Sequence, residues 1–107
     1  MGIERRKLKR FMTRIPAAFR CGAVTGEGFV KNLSKEGLFL RTDRLPKPGT
    51  RVQIVIEAPD GTKIEVVGMV RWTTEQIPDR EPQPGFGMRF DEVTADYIDF
   101  FERVLLS

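Results

Sequence analysis

Apolar residues recur at every second position over much of this chain, which is the spacing of strands that bury one face. The clearest run is Ile15, Ala17, Phe19 and Cys21, which alternate with polar or small residues. This alternation predicts six strands, which cover residues 15–21, 29–33, 38–42, 52–56, 64–72 and 86–90.

Turn-forming residues separate the predicted strands. Residues 25–28 (Thr-Gly-Glu-Gly) predict a turn, and the two prolines of residues 45–49 predict a loop. Pro59-Asp60-Gly61-Thr62 predicts a hairpin between the fourth and fifth strands, since proline and glycine suit the turn geometry. Gly68, inside the long fifth strand, indicates a bulge or a barrel corner.

Near the C-terminus the period changes to that of a helix over residues 94–106. Thr94 is a suitable N-cap, and Asp96 follows in the first turn, where the helix dipole favours negative charge. The expected apolar stripe consists of Tyr97, Ile98, Phe101, Val104 and Leu105. The predicted fold is therefore all-β with one helix: a six-stranded antiparallel β-barrel whose C-terminal helix packs over an opening or mediates dimerisation.

The composition is that of an ordinary globular protein, but the charge is unevenly distributed. The 107 residues are 40% hydrophobic and 31% charged, which predicts a single domain. Residues 1–20 contain seven bases and one acid, a local charge of +6, whereas the other residues sum to −3. We therefore expect a flexible basic arm over residues 1–14, a barrel over 15–93 and a helix over 94–106. Such an arm attracts anionic partners.

Several classes of function are disfavoured by what the sequence contains. Histidine is absent, which removes the commonest general base and metal ligand. The one cysteine, Cys21, shares the register of buried residues, so we interpret it as a small core residue. We expect no enzymatic activity, metal or cofactor. No apolar run approaches the roughly 20 residues of a membrane span, and a cytoplasmic location is expected.

Two groups of polar residues have the chemistry of a nucleotide-binding site. Arg6 and Arg10 can each hold a phosphate or a guanine edge with the planar guanidinium fork, or stack on a base. Asn32 offers an amide to a base edge, and Ser34 offers a hydroxyl. Gly37 would let the backbone approach a ligand closely.

Together these residues resemble the PilZ domain, a bacterial receptor module for cyclic di-GMP. The RxxxR motif of that family matches residues 6–10, and its [D/N]xSxxG motif matches residues 32–37. Nearly the whole chain takes part, because three further segments resemble family strands: Arg14-Ile15-Pro16, Val70-Arg71-Trp72 and residues 85–90.

The resemblance implies a barrel whose N-terminal arm folds over one face and closes on the dinucleotide. Arg6 and Arg10 would contact guanine and phosphate, while Asn32, Ser34 and Gly37 would form the barrel side of the site. Arginine at the position of Arg5 is associated in the family with a stacked pair of ligand molecules. The family more often has aspartate at position 32, and asparagine there would lower affinity by about 1 kcal/mol.

The same residues also allow interpretations in which they have only structural roles or face solvent. The arm could be a solvated charge run, residues 32–37 a plain turn, and Trp72, in register with Val66 and Val70, a core residue. Arg14, Arg41, Arg71 and Arg89 could line a phosphate path or simply face solvent.

Three functions therefore compete. The leading one is a cyclic di-GMP receptor that signals by contact with a downstream protein in motility, export or signalling. The second is a PilZ-like adaptor that binds a partner without nucleotide, which the intact motifs disfavour. The third is a general binder of nucleic acid or acidic lipid, which depends on the charge of the arm alone. Nucleic acid is disfavoured because few aromatic residues are candidates for an exposed stacking surface.

Overall fold

Six strands and one helix make up the fold. The computed structural model describes residues 11–79 and 81–106. In chain order the elements are β1 (Phe11–Cys21), β2 (Val24–Leu33), β3 (Gly37–Arg41), β4 (Arg51–Glu57), β5 (Lys63–Thr73), β6 (Gly85–Phe90) and α1 (Ala95–Leu106).

The strands form a closed antiparallel barrel in the order β1-β2-β3-β6-β5-β4. Closure occurs where β1 pairs with β4, so every strand of the barrel has a neighbour on both sides. The predicted six-stranded barrel with a C-terminal helix is confirmed. No helix within the described ranges is long and apolar enough to cross a bilayer.

The core lies inside the barrel and continues into the helix. Tyr97, Phe100 and Phe101 are buried and belong to the same apolar cluster as the inward side chains of the strands. The predicted helical stripe was wrong to include Ile98, which is 43% exposed, and to omit Phe100, which is 2% exposed. The side chain of Leu105, also predicted for the stripe, lies outside the described residues. Residues 97, 100, 101 and 104 recur with the helical period, so they form the face that turns towards the barrel.

Strands β1 and β2 are longer than the alternation predicted. β1 begins at Phe11 rather than Ile15, and residues 25–28 belong to β2, so the turn prediction there was wrong. The chain turns instead at residues 22–23, where Gly22 has a φ of 62°. Gly26 lies within β2. Glycine suits this position because the Phe19 ring occupies the space that a side chain would need: a Cβ there would lie 2.7 Å from the ring.

The hairpin predicted between β4 and β5 is present. Gly61 takes a φ of 90°, and the Asp60 carboxylate accepts a hydrogen bond from the Thr62 backbone N–H at 2.9 Å. That bond is the main cause that lowers the pKa of Asp60. Asp60 also pairs with Arg103 of α1 at 3.1 Å, which ties the hairpin to the helix.

Gly68 does not mark a bulge, because no register shift occurs at this residue. It pairs regularly with Val52 and Phe90, and a Cβ there would lie 2.0 Å from the Arg89 carbonyl oxygen. Glycine at this position therefore permits the close approach of β6. The bulge of β5 falls further along the strand, between Val70 and Trp72.

Candidate functional site

Four residues on four adjacent strands form one cross-strand row on the outside of the barrel. Asn32 of β2 pairs with Phe39 of β3, Phe39 pairs with Gly87 of β6, and Gly87 pairs with Trp72 of β5. Phe39 lies between Leu38 and Leu40, which both point into the core, so its own side chain points outwards. Directly paired residues share a face, so the whole row lies outside the core.

A β-bulge places Asn32 in this row. The pairing of β2 with β3 shifts between Val30 and Asn32, which leaves Lys31 as the extra residue. Val30 and Leu33 then both point into the core, whereas strict alternation would have put them on opposite faces. Without the shift, Asn32 would point into the barrel. Its side chain is 4% exposed on the outer face.

A second bulge, on β5, overturns the predicted position of Trp72. The register shift leaves Arg71 as the extra residue, so Trp72 no longer shares a face with Val70. Its half-buried indole instead stacks on Phe39, with ring centroids 5.3 Å apart and 20° between the planes. Trp72 therefore packs on the outer face of the barrel rather than in its core.

The loop between β2 and β3 is closed by its own hydrogen bonds. The Ser34 backbone N–H donates to the Gly37 carbonyl at 2.9 Å, and the Glu36 N–H donates to Ser34 Oγ at 3.3 Å. Ser34 Oγ donates in turn to the Gly37 carbonyl at 3.3 Å. The predicted site residues Asn32, Ser34 and Gly37 are therefore brought together at one tight turn.

Gly37 has a structural reason of its own to be glycine. A Cβ at this position would lie 2.3 Å from the Met88 carbonyl oxygen, which is backbone of β6 and cannot move aside. The predicted reason, close approach of a ligand, is not needed to explain this residue.

Helix α1 contacts the loop through the side chain of Tyr97. Tyr97 Oη donates a hydrogen bond to the Ser34 carbonyl oxygen at 2.6 Å, and both residues are buried. Burial raises the pKa of the Tyr97 phenol, so the group remains a protonated donor at ordinary pH. Sequence reasoning placed Tyr97 in the apolar stripe and missed this contact. The available signal was that a buried tyrosine hydroxyl requires an acceptor.

The arm residues predicted to bind ligand, Arg5, Arg6 and Arg10, lie outside the described residues. The point where they join the barrel is described. Phe11 pairs with Leu33, and Met12 pairs with Asn32. The chain that carries the arm therefore enters β1 directly beside the motif of residues 32–37.

The four strand arginines have different surroundings. Arg14 lies over the Phe29 ring, 4.6 Å from its centroid, and Arg89 pairs with Glu36 of the motif loop at 3.4 Å. Arg41 is half-buried, and Arg71 is exposed. Arg89 is the member of this group whose contact reaches the loop itself.

An apolar groove of about 420 Å³ lies between the motif loop and α1. Its lining residues are Lys35, Glu36, Val93, Tyr97, Ile98, Phe101 and Glu102. A larger and more open depression of about 640 Å³ lies over β1 near Arg20 and Arg44, and it shares no residue with the motif. Neither feature was predicted from the sequence.

Cys21 packs against the edge of the core, in the register that the sequence predicted. The thiol is half-buried and donates to Thr50 Oγ1 at 3.3 Å. Among the described residues, no group of three potential metal ligands lies together.

Comparison with known proteins gives the same fold. A family model described as the PilZ domain matches residues 4–107. The solved structure of the Bacillus subtilis inhibitor of motility, MotI/DgrA, superimposes with a TM-score of 0.77 at 17% identity, covering 97% of this chain and 51% of that one. The PilZ domain of YcgR from Escherichia coli, solved with c-di-GMP, gives 0.74 at 13% identity, covering 96% and 91%.

This chain thus spans about half the length of the Bacillus subtilis protein. At these identities the two structures establish a shared fold. No curated protein sequence matches the chain.

Proposed function

Because this chain belongs to the PilZ domain family, we propose that it is a receptor for cyclic di-GMP that catalyses no reaction and acts through contact with a partner protein. The observation that carries this proposal is the pairing of Phe11 with Leu33 and of Met12 with Asn32. It joins the chain that follows the first motif, residues 6–10, to the barrel at the position where the second motif begins.

The proposed site has an arm side and a barrel side. Arg6 and Arg10 bind guanine and phosphate with their guanidinium forks, which offer paired donors in one plane. Asn32 contributes an amide from the outer face of the barrel, and Gly37 fixes the end of the loop. Ser34 contributes a hydroxyl from the loop, where Oγ keeps one acceptor lone pair beyond its bonds to Gly37 and Glu36. Arg5 extends the arm side and supports a stacked pair of ligand molecules.

The proposed signal is the ordering of residues 1–10 around the ligand. The positively charged arginine and lysine side chains of this segment repel one another, and the two negative charges of bound cyclic di-GMP offset this repulsion. Ordering the segment changes the surface that a partner protein meets, which is one of the established ways in which a ligand switches a protein. The similar Bacillus subtilis protein carries the name inhibitor of motility, which supports motility as one process that such a switch could control.

Calorimetric titration of the purified protein with cyclic di-GMP, cyclic di-AMP and GTP tests this proposal. We expect saturable binding of cyclic di-GMP alone, with about two ligand molecules per chain. A ratio near one would remove the stacked pair but keep the receptor. No saturable heat, together with an unchanged melting temperature, would favour an adaptor that binds its partner without nucleotide.

The same titration at low and moderate salt separates a receptor from a general binder of polyanions. Binding through charge alone collapses as salt rises and accepts a change of arginine to lysine. A guanine-binding fork does not accept that change. Equal loss of affinity for a single-stranded oligonucleotide and for cyclic di-GMP would support the polyanion binder.

A further inference from the structure

The Ser34 carbonyl takes no part in the hydrogen bonds that close the loop of residues 34–36. The Ser34 N–H, the Ser34 hydroxyl and the Glu36 N–H are all used inside the turn. The Ser34 carbonyl instead accepts the hydroxyl of Tyr97, 63 residues further along the chain. The position of this peptide group therefore depends on helix α1 as well as on the turn.

Tyr97 is held in place by its own helix and by the core. Thr94 caps the helix, and its Oγ1 accepts the Tyr97 backbone N–H at 3.2 Å, which fixes where the first turn begins. The Tyr97 ring then packs edge-on against Phe90, with centroids 4.6 Å apart, and stacks on Phe101 at 6.1 Å. A ring with these neighbours and no exposed surface delivers its hydroxyl to a fixed point.

We propose that Tyr97 is a positioning residue for ligand binding, which acts by holding the Ser34 peptide group so that Asn32 and Ser34 face the ligand together. The inference rests on the proposed function and goes beyond it, because Tyr97 belongs to neither motif. The Ser34 carbonyl adjoins the residues on which the barrel side of the site depends. Releasing it lets the turn take other conformations, and the affinity falls in proportion to the fraction of molecules whose turn keeps the binding conformation.

A second polar contact of α1 provides a comparison. Arg103 pairs with Asp60 of the β4–β5 hairpin at 3.1 Å, so it anchors the helix to the barrel through a different loop. Loss of this pair weakens the attachment of α1 but leaves the bond between Tyr97 and Ser34. It therefore separates a general effect of loosening the helix from a specific effect on the motif loop.

The test compares Tyr97→Phe with two controls, Arg103→Met and Val52→Ala. Phenylalanine keeps the packed ring and removes only the hydroxyl. Val52 is a buried residue of β4 outside the motif loop, so Val52→Ala lowers stability without touching that loop. Two quantities are measured for each protein: the affinity for cyclic di-GMP by calorimetry, and amide hydrogen exchange of Ser34 and Glu36 by NMR without ligand.

For Tyr97→Phe we expect about fivefold weaker binding and faster exchange at Ser34 and Glu36, as the loss of one buried hydrogen bond predicts. Both controls should bind like the wild type even where their melting temperature falls. Unchanged affinity in Tyr97→Phe, beside a wild type that binds, would overturn this inference alone. Equal weakening in Val52→Ala at equal loss of stability would overturn it too. A wild type that does not bind overturns the proposed function and this inference together.

Discussion

The indole of Trp72 stacks on the ring of Phe39 across the glycine of a third strand. The two residues lie on β5 and β3, and each pairs with Gly87 of the intervening β6. A Cβ at Gly87 would lie 2.2 Å from Trp72 Nε1, so the stack exists because that position has no side chain. The same cross-strand row ends at Asn32, which connects this aromatic pair to the proposed site.

Replacing Gly87 with alanine should displace Trp72 from Phe39. We expect a red shift of tryptophan fluorescence, because the indole becomes more solvated, and a loss of about 1–3 kcal/mol in stability from overpacking. Trp72 is the one tryptophan of the chain, so the emission reports on it alone. Gly22→Ala is the control: its φ of 62° makes alanine strained there, but nothing lies within 4 Å of the new Cβ. Unchanged emission in Gly87→Ala would contradict the stacked arrangement.

Replacing Gly37 with alanine should weaken both the fold and the ligand site. The new Cβ would meet the Met88 carbonyl oxygen at 2.3 Å, and relief requires β3 to move away from β6. We expect about 1–3 kcal/mol lower stability by thermal melting, together with weaker binding of cyclic di-GMP. Lys35→Ala, an exposed change in the same loop, should leave the melting temperature as it is. A wild-type melting temperature in Gly37→Ala would show that the contact with β6 is not as close as described.

Replacing Asn32 with aspartate should strengthen ligand binding at the expense of stability. A carboxylate accepts charge-assisted hydrogen bonds from guanine donors, which predicts about fivefold higher affinity. Asn32 is 4% exposed and lies beside Phe39, so the ligand-free protein must desolvate that charge. The expected signature is a lower melting temperature without ligand and a larger upward shift with it. A parallel fall in affinity and stability would mean that the site needs the amide N–H donor.

Replacing Arg10 with alanine should weaken binding of cyclic di-GMP by about five- to 150-fold, the value of one bidentate contact. The neighbouring change Lys9→Ala removes the same unit of charge without a planar fork, so it controls for electrostatic attraction. Calorimetric titration of the two variants at one salt concentration gives the comparison. Equal losses would assign the arm to charge alone, and wild-type binding by Arg10→Ala would remove Arg10 from the site.

Local patterns in the sequence determined the number of strands, the β4–β5 turn and the start of the helix. Each depends on residues close together in the chain: alternation within a strand, Asp60 with Thr62 at the hairpin, and Thr94 with Tyr97 at the helix cap. The two family motifs could also be identified from the sequence, because each is short and has a fixed spacing. Whether their residues bind ligand remains a prediction.

Only the tertiary structure decided which strand side chains point outwards near the proposed site and which contacts support its loop. The bulges at Lys31 and Arg71 change the alternation of inward and outward side chains because pairing with the neighbouring strands sets the register. The sequence of a single strand does not show how it pairs, so these bulges could not be predicted from it. They place Asn32 and Trp72 on the outer face of the barrel. The hydrogen bond from Tyr97 to Ser34 joins residues 63 positions apart. Sequence patterns relate residues that are close along the chain, so they could not predict this contact. Short-range chemistry thus specified the elements, while barrel closure and helix docking specified how those elements meet.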